Sequence, residues 1–149
     1  MGLCAAIGFT GITATTAFAA GKDKEHEEGH EKGKVKIPDT VDGIFKEIHK
    51  HHGELVTVVK SKKLNAVHHL DFGIRDLAKA LPVKAEADKK KQVDGIVKNI
   101  SKLADDLDKS GDDGDQAKTE ANLKKLDGLL KMLHAQFGIK MEEAAEHKH

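Results

Sequence analysis

The segment from Val41 to Leu81 reads VDGIFKEIHKHHGELVTVVKSKKLNAVHHLDFGIRDLAKAL and contains five of the ten histidines of the 149-residue chain. Apolar residues recur at spacings of three and four on both sides of Ser61-Lys62-Lys63. This period is typical of amphipathic α-helices, and the polar break between the two patterns predicts a tight turn. The segment is therefore predicted to form a helical hairpin that carries a cluster of histidines.

The hairpin histidines form one candidate metal site. Reflecting the sequence about the predicted turn brings His52 within about one helical turn of His68. His49 and His52 are neighbours on one helix face and could share an ion. Neutral imidazoles suit copper, zinc or nickel. The alternative is a set of surface histidines on a lysine-rich helix. The hairpin residues predicted as metal ligands are His49, His51, His52, His68 and His69.

Two further helices follow the hairpin. Pro82 ends the second helix, and apolar stripes then run from Val93 to Leu107 and from Leu123 to Phe137. The composition of residues 108–115, DKSGDDGD, predicts a loop between these helices, with Asp115 as the cap of the last one. Asp39 is the expected cap of the first helix, and Gly138 the expected stop of the fourth. The predicted fold class is all-α, an antiparallel up-down-up-down four-helix bundle over residues 39–140.

The chain ends differ in composition from the bundle. Residues 1–20 carry no charge and end in Ala17-Phe18-Ala19-Ala20, which is typical of a signal peptide, so a periplasmic or secreted location is expected. Residues 21–38 form a charged linker with His26 and His30, and residues 141–149 a polar tail. No stable membrane insertion is expected once the signal is removed.

Composition excludes several function classes. The formal net charge is zero and aromatic residues make up 3% of the chain, which argues against nucleic acid as a partner. Cys4, within the predicted signal, is the only cysteine, so the mature chain has no disulfide, cysteine-bound zinc or covalently attached haem c. Motifs of nucleophilic, phosphate-binding and zinc enzymes are absent, and we predict that the protein is not an enzyme.

The end of the fourth helix reads Leu130-Lys131-Met132-Leu133-His134-Ala135-Gln136-Phe137. It resembles the C-K-x-C-H-x-x-F/Y haem motif of the cytochrome c prime family, with leucines at both cysteine positions. It is also similar to the soluble b-type cytochromes of the same bundle fold. The resemblance implies that His134 is a haem ligand and that any haem is a non-covalent haem b.

Helix geometry suggests a partner for His134. In an antiparallel bundle the end of the fourth helix lies level with the start of the first, less than two turns from His49. The two side chains lean toward each other, because helical side chains point toward their own N-terminus. A haem there would need the space between the apolar residues Phe45, Ile48, Leu130 and Phe137.

Three functional interpretations remain open from the sequence. The first is an exported, histidine-ligated metal-centre protein, with haem b for electron transfer or gas-ligand binding. The second is a haem-free periplasmic carrier or buffer of copper, zinc or nickel that uses the hairpin histidines. The third is a structural bundle without a cofactor. Homodimerisation and an unidentified redox or metal-transfer partner are compatible with each of them.

Overall fold

The computed structural model describes residues 35–139. The predicted signal peptide, most of the linker, and the tail from residue 141 lie outside the described residues. Within them the chain forms four α-helices and no strand, as the sequence predicts: α1 (Val41–Lys60), α2 (Val67–Ala78), α3 (Lys90–Asp112) and α4 (Gln116–Phe137). Short 3-10 turns cover Leu64–Ala66 and Pro82–Lys84.

Helix ends follow local chemistry, with one shift from the prediction. Thr40, not Asp39, caps α1, because its hydroxyl accepts the Gly43 N–H at 3.1 Å. Asp115 caps α4 as predicted, since its carboxylate accepts the Lys118 N–H. Gly138 ends α4 with a φ of 66°, a left-handed conformation that glycine adopts without strain.

The predicted loop over residues 108–115 is wrong in its first half, because α3 continues to Asp112. Tertiary contacts hold the added turn. The buried Ser110 hydroxyl donates to the Leu107 carbonyl and accepts from the Thr119 hydroxyl at 3.0 Å. Gly111 lies so close to the 3-10 turn before α2 that an added Cβ would be 3.0 Å from the Leu64 carbonyl oxygen. Glycine allows this approach without displacing its neighbours.

The helices form a bundle in which each contacts the next in sequence and α4 contacts α1. Side-chain contacts mark each interface: His51 against Gly73, His68 with Asp108, Thr119 with Ser110, and His49 with His134. The backbones of α1 and α4 approach each other less closely than those of the other three pairs. The core is continuous and includes the predicted Leu126, Leu130 and Leu133, together with Phe45, Ile48, Leu55, Ile74, Leu77, Ile100 and Leu107.

Candidate metal centre between helices α1 and α4

His49 and His134 are in contact across the α1–α4 interface, as helix geometry predicts. Their Nε2 atoms are 2.9 Å apart. The ring centroids are 4.6 Å apart, and the ring planes differ by 12°. His49 is half-buried, whereas His134 is only 2% exposed. The structure thus brings together two imidazoles that are 85 residues apart in sequence.

Burial fixes the charge of His134. The ring packs on Phe45 with centroids 4.2 Å apart, and Phe45 in turn contacts Phe137. Burial, and to a smaller extent the proximity of His49, lowers the pKa of His134 to about 4. His134 is therefore a neutral imidazole at neutral pH, the form that binds a transition metal.

The hydrogen-bond partners of His134 indicate its tautomer. Its Nδ1 is buried and has no hydrogen-bond partner among the described residues. An Nδ1–H in that position would be an unpaired donor, which costs about 1–3 kcal/mol. The favoured arrangement places the proton on His134 Nε2, which donates to His49 Nε2. A metal that binds both Nε2 atoms would have to move this proton.

The residues predicted to surround a haem pack against one another or lie in the core. Phe45, Ile48 and Leu130 are buried in the continuous core, and Phe137 packs on Phe45 with ring centroids 5.5 Å apart. A porphyrin between His49 and His134 would have to displace this aromatic packing. A single metal ion would need only to bind both Nε2 atoms from one side of the pair.

The structure pairs His52 and His68 with carboxylates on two different helices. His52 Nε2 donates to the Asp127 carboxylate of α4 at 2.5 Å. His68 Nδ1 donates to the Asp108 carboxylate of α3 at 2.6 Å. Reflection about the turn predicted their levels along the hairpin but not their directions, and the two rings face different helices. In residues 35–139, no group of three or more histidine, aspartate, glutamate or cysteine side chains is arranged to hold a metal ion.

The other two hairpin histidines also lie apart from the α1–α4 pair. His51 packs on Gly73 of α2, and its buried Nδ1 has no hydrogen-bond partner within the described part of the chain. His69 is exposed and its ring contacts that of His68. A Cβ at position 73 would lie 3.2 Å from the His51 ring, so a larger residue there would have to displace the ring. His51 therefore contributes to packing between α1 and α2.

Sequence reasoning missed Asp127 and Asp108, the carboxylates that pair with these histidines. It treated Asp71 as a possible metal ligand of the hairpin and missed its burial. Asp71 is 1% exposed, and its Oδ2 has no hydrogen-bond partner among residues 35–139. Burial raises its pKa to about 8, and the nearby Asp108 adds to the effect. Its spacing was a usable signal, because Asp71 is four residues after Val67 and three before Ile74, on the apolar stripe of α2.

Comparisons with protein-family models, curated proteins and solved structures find no match for this chain. Among the described residues, no helix is both long enough and apolar enough to cross a membrane.

Proposed function

We propose that this protein is an exported carrier or buffer of a transition-metal ion, and that it holds copper(II) or nickel(II) between His49 and His134. The observation that carries the proposal is the separation of 2.9 Å between the Nε2 atom of half-buried His49 and that of His134, which is buried and neutral. The proposal includes an antiparallel up-down-up-down arrangement of the helices.

The order of contacts along the α1–α4 interface supports the antiparallel arrangement. Phe45 contacts Phe137, His49 contacts His134, and His52 contacts Asp127. Near the end of α1, the Val59 carbonyl accepts a hydrogen bond from the Gln116 side chain at 2.8 Å. Residue numbers rise along α1 as they fall along α4, which is expected of helices that run in opposite directions.

The ring geometry favours one coordination angle. Two imidazoles bound at about 2.05 Å to one ion have nitrogens about 2.9 Å apart at a right angle, about 3.3 Å at a tetrahedral angle and about 4.1 Å in a line. The right-angled arrangement also places the ring centroids about 4.5 Å apart. The observed separations, 2.9 Å and 4.6 Å, are those of the hydrogen-bonded pair, and they match the right-angled arrangement with little movement of either ring. Right-angled nitrogen and oxygen ligands are typical of copper(II) and nickel(II), whereas zinc prefers a tetrahedron.

The surroundings of the pair favour exchange over permanent storage. Metal-bound histidines usually donate their second N–H to an acceptor, and loss of such a partner weakens binding by about 10–100-fold. His134 Nδ1 has no such acceptor among residues 35–139. Two protein ligands also leave the other coordination positions to water or to an external donor. A centre of this kind can take up an ion and release it again.

The decisive experiment is a copper(II) and nickel(II) titration, by calorimetry and electron paramagnetic resonance, of the wild type and three leucine variants. His49→Leu and His134→Leu should each weaken the tightest site by at least about tenfold, because each removes one of two ligands. His68→Leu is the matched control, since that imidazole is hydrogen-bonded to Asp108 on a different interface. Differences between variants also separate this site from ion collected by linker histidines such as His26 and His30.

Two results would contradict the proposal. Equal affinities in the wild type and the His49→Leu and His134→Leu variants would show that the pair binds no ion. A Soret band in protein from a haem-competent host that His134→Leu abolishes would instead support the haem b interpretation.

Export has its own test. Ala17-Phe18-Ala19 resembles a signal-peptidase site, so the mature chain should begin at Ala20 or Gly21. Intact-mass measurement of protein recovered from its host gives the N-terminus directly, and a retained Met1 would contradict export by this route.

A further inference from the structure

The hydrogen bond between His52 and Asp127 lies next to the histidine pair along the α1–α4 interface. On α1, His52 follows His49 by three residues, about one helical turn. The contact between Phe45 and Phe137 lies on the other side of the pair. The two imidazoles are thus held between a buried aromatic contact and a more exposed hydrogen bond, in which Asp127 is 42% exposed.

Side chains, more than backbones, set the distance between α1 and α4. The two backbones approach each other less closely than those of the other neighbouring helices. Large side chains bridge the wider gap: Phe45 to Phe137, His49 to His134, and His52 to Asp127. The Gln116 side chain adds a bridge to the Val59 carbonyl near the far end of α1. A change in one bridge can therefore alter the local spacing without disturbing the tightly packed interfaces.

We propose that Asp127 is a positioning residue that sets the metal preference of the centre by holding His52 and so fixing the spacing of His49 and His134. This inference rests on the proposed function. Its physical basis is that, at a fixed metal–nitrogen bond length, the N–metal–N angle determines the distance between the two Nε2 atoms. A widening of only about 0.4 Å converts a right-angled pair into a tetrahedral one. With the hydrogen bond in place the pair favours nickel(II) or copper(II), and without it the pair can open toward the zinc(II) geometry.

The test compares nickel(II) and zinc(II) affinities, because the ratio of two affinities cancels any general loss of binding. Asp127→Ala removes both the acceptor and the charge, and should shift the ratio of the two affinities toward zinc(II) by about tenfold. Asp127→Asn keeps an oxygen that accepts the His52 N–H but removes the charge, and should keep the wild-type ratio. Asp76→Ala is the matched control, with a similarly exposed carboxylate (44%) that pairs with Arg75 and Lys79 on the outside of α2.

A cobalt(II) spectrum reports the geometry itself. Tetrahedral cobalt(II) absorbs visible light much more strongly than six-coordinate cobalt(II), so the Asp127→Ala protein should gain absorbance that the wild type and Asp127→Asn lack. A simple loss of stability would not produce this gain in absorbance.

Each outcome decides the inference. An unchanged affinity ratio in Asp127→Ala overturns the positioning role while the metal centre itself stands. An equal shift in Asp127→Asn and Asp127→Ala shows that charge, not spacing, controls the preference, and also overturns it. If the wild type binds neither ion at His49 and His134, the proposed function fails and the inference fails with it.

Discussion

The ring of His134 in α4 packs against that of Phe45 in α1, with ring centroids 4.2 Å apart and planes tilted by 45°. This contact places an ionisable ring inside an apolar core, where a positive charge is poorly solvated. It explains why the pKa of His134 falls to about 4, and it links the histidine pair to the stability of the whole bundle.

Acid should therefore destabilise the protein through His134. The unfolded histidine takes up a proton near pH 6.5, whereas the folded one does so only near pH 4, so stability is lost as pH falls between these values. His134→Leu removes the group and should reduce the loss between pH 6.5 and 4.5 by on the order of 1–3 kcal/mol. Urea unfolding at several pH values measures this loss of stability. If the free energies of unfolding of the wild type and of His134→Leu changed equally with pH, the loss would not be due to His134.

Asp71 should make the protein less stable as the pH rises. Its carboxyl is protonated in the folded protein up to about pH 8 but ionises near pH 3.8 when unfolded, so stability falls as pH rises between these values. Asp71→Asn keeps the acceptor for the Phe72 N–H and removes the charge. It should stabilise the protein at pH 8 relative to pH 5, by on the order of 2–5 kcal/mol. Carbon-13 NMR of the Asp71 carboxyl tests the cause, and titration near pH 4 would refute it.

Gly111 should tolerate no side chain, whereas Gly95 on the same helix should. An added Cβ at Gly111 meets the Leu64 carbonyl oxygen at 3.0 Å and the Val67 Cβ at 3.2 Å, but at Gly95 it meets nothing within 4 Å. Gly111→Ala should therefore lose about 1–3 kcal/mol of stability through overpacking. Gly95→Ala should gain about 0.5–1 kcal/mol, because alanine favours the helix. Thermal unfolding measures both stabilities. If Gly111→Ala were more stable than Gly95→Ala, the assignment of the buried face of α3 would be wrong.

Leu130 should be among the most costly apolar side chains to truncate. It is fully buried, so Leu130→Ala should lose about 2–5 kcal/mol through lost burial and the cavity left behind. Met132→Ala is the control on the same helix, since Met132 is 52% exposed and should lose less than about 1 kcal/mol. Chemical unfolding that gave similar values for both variants would show that the buried face of α4 is assigned wrongly.

Local sequence patterns were enough to predict the four helices. The spacing of apolar residues, the break at residues 61–63, Asp115 as a cap and Gly138 as a stop depend on local backbone chemistry, which is written in neighbouring residues. These patterns also placed His134 less than two turns from His49, because helices of known rise that pack in sequence order have few other registers, and the two rings are in contact. The predicted loop over residues 108–115 failed where composition outweighed packing: Ser110 and Gly111 look like loop residues but lie buried in α3.

The direction in which each histidine faces, and the group that it contacts, depend on how the helices pack. His52 and His68 share a hairpin, yet one reaches Asp127 on α4 and the other Asp108 on α3. Rotation of a helix by a single residue moves a side chain by about 100° around its axis, so small differences in helix phase select a different partner. Burial is likewise a property of the assembled core, and it is burial that makes His134 neutral and Asp71 protonated at pH 7.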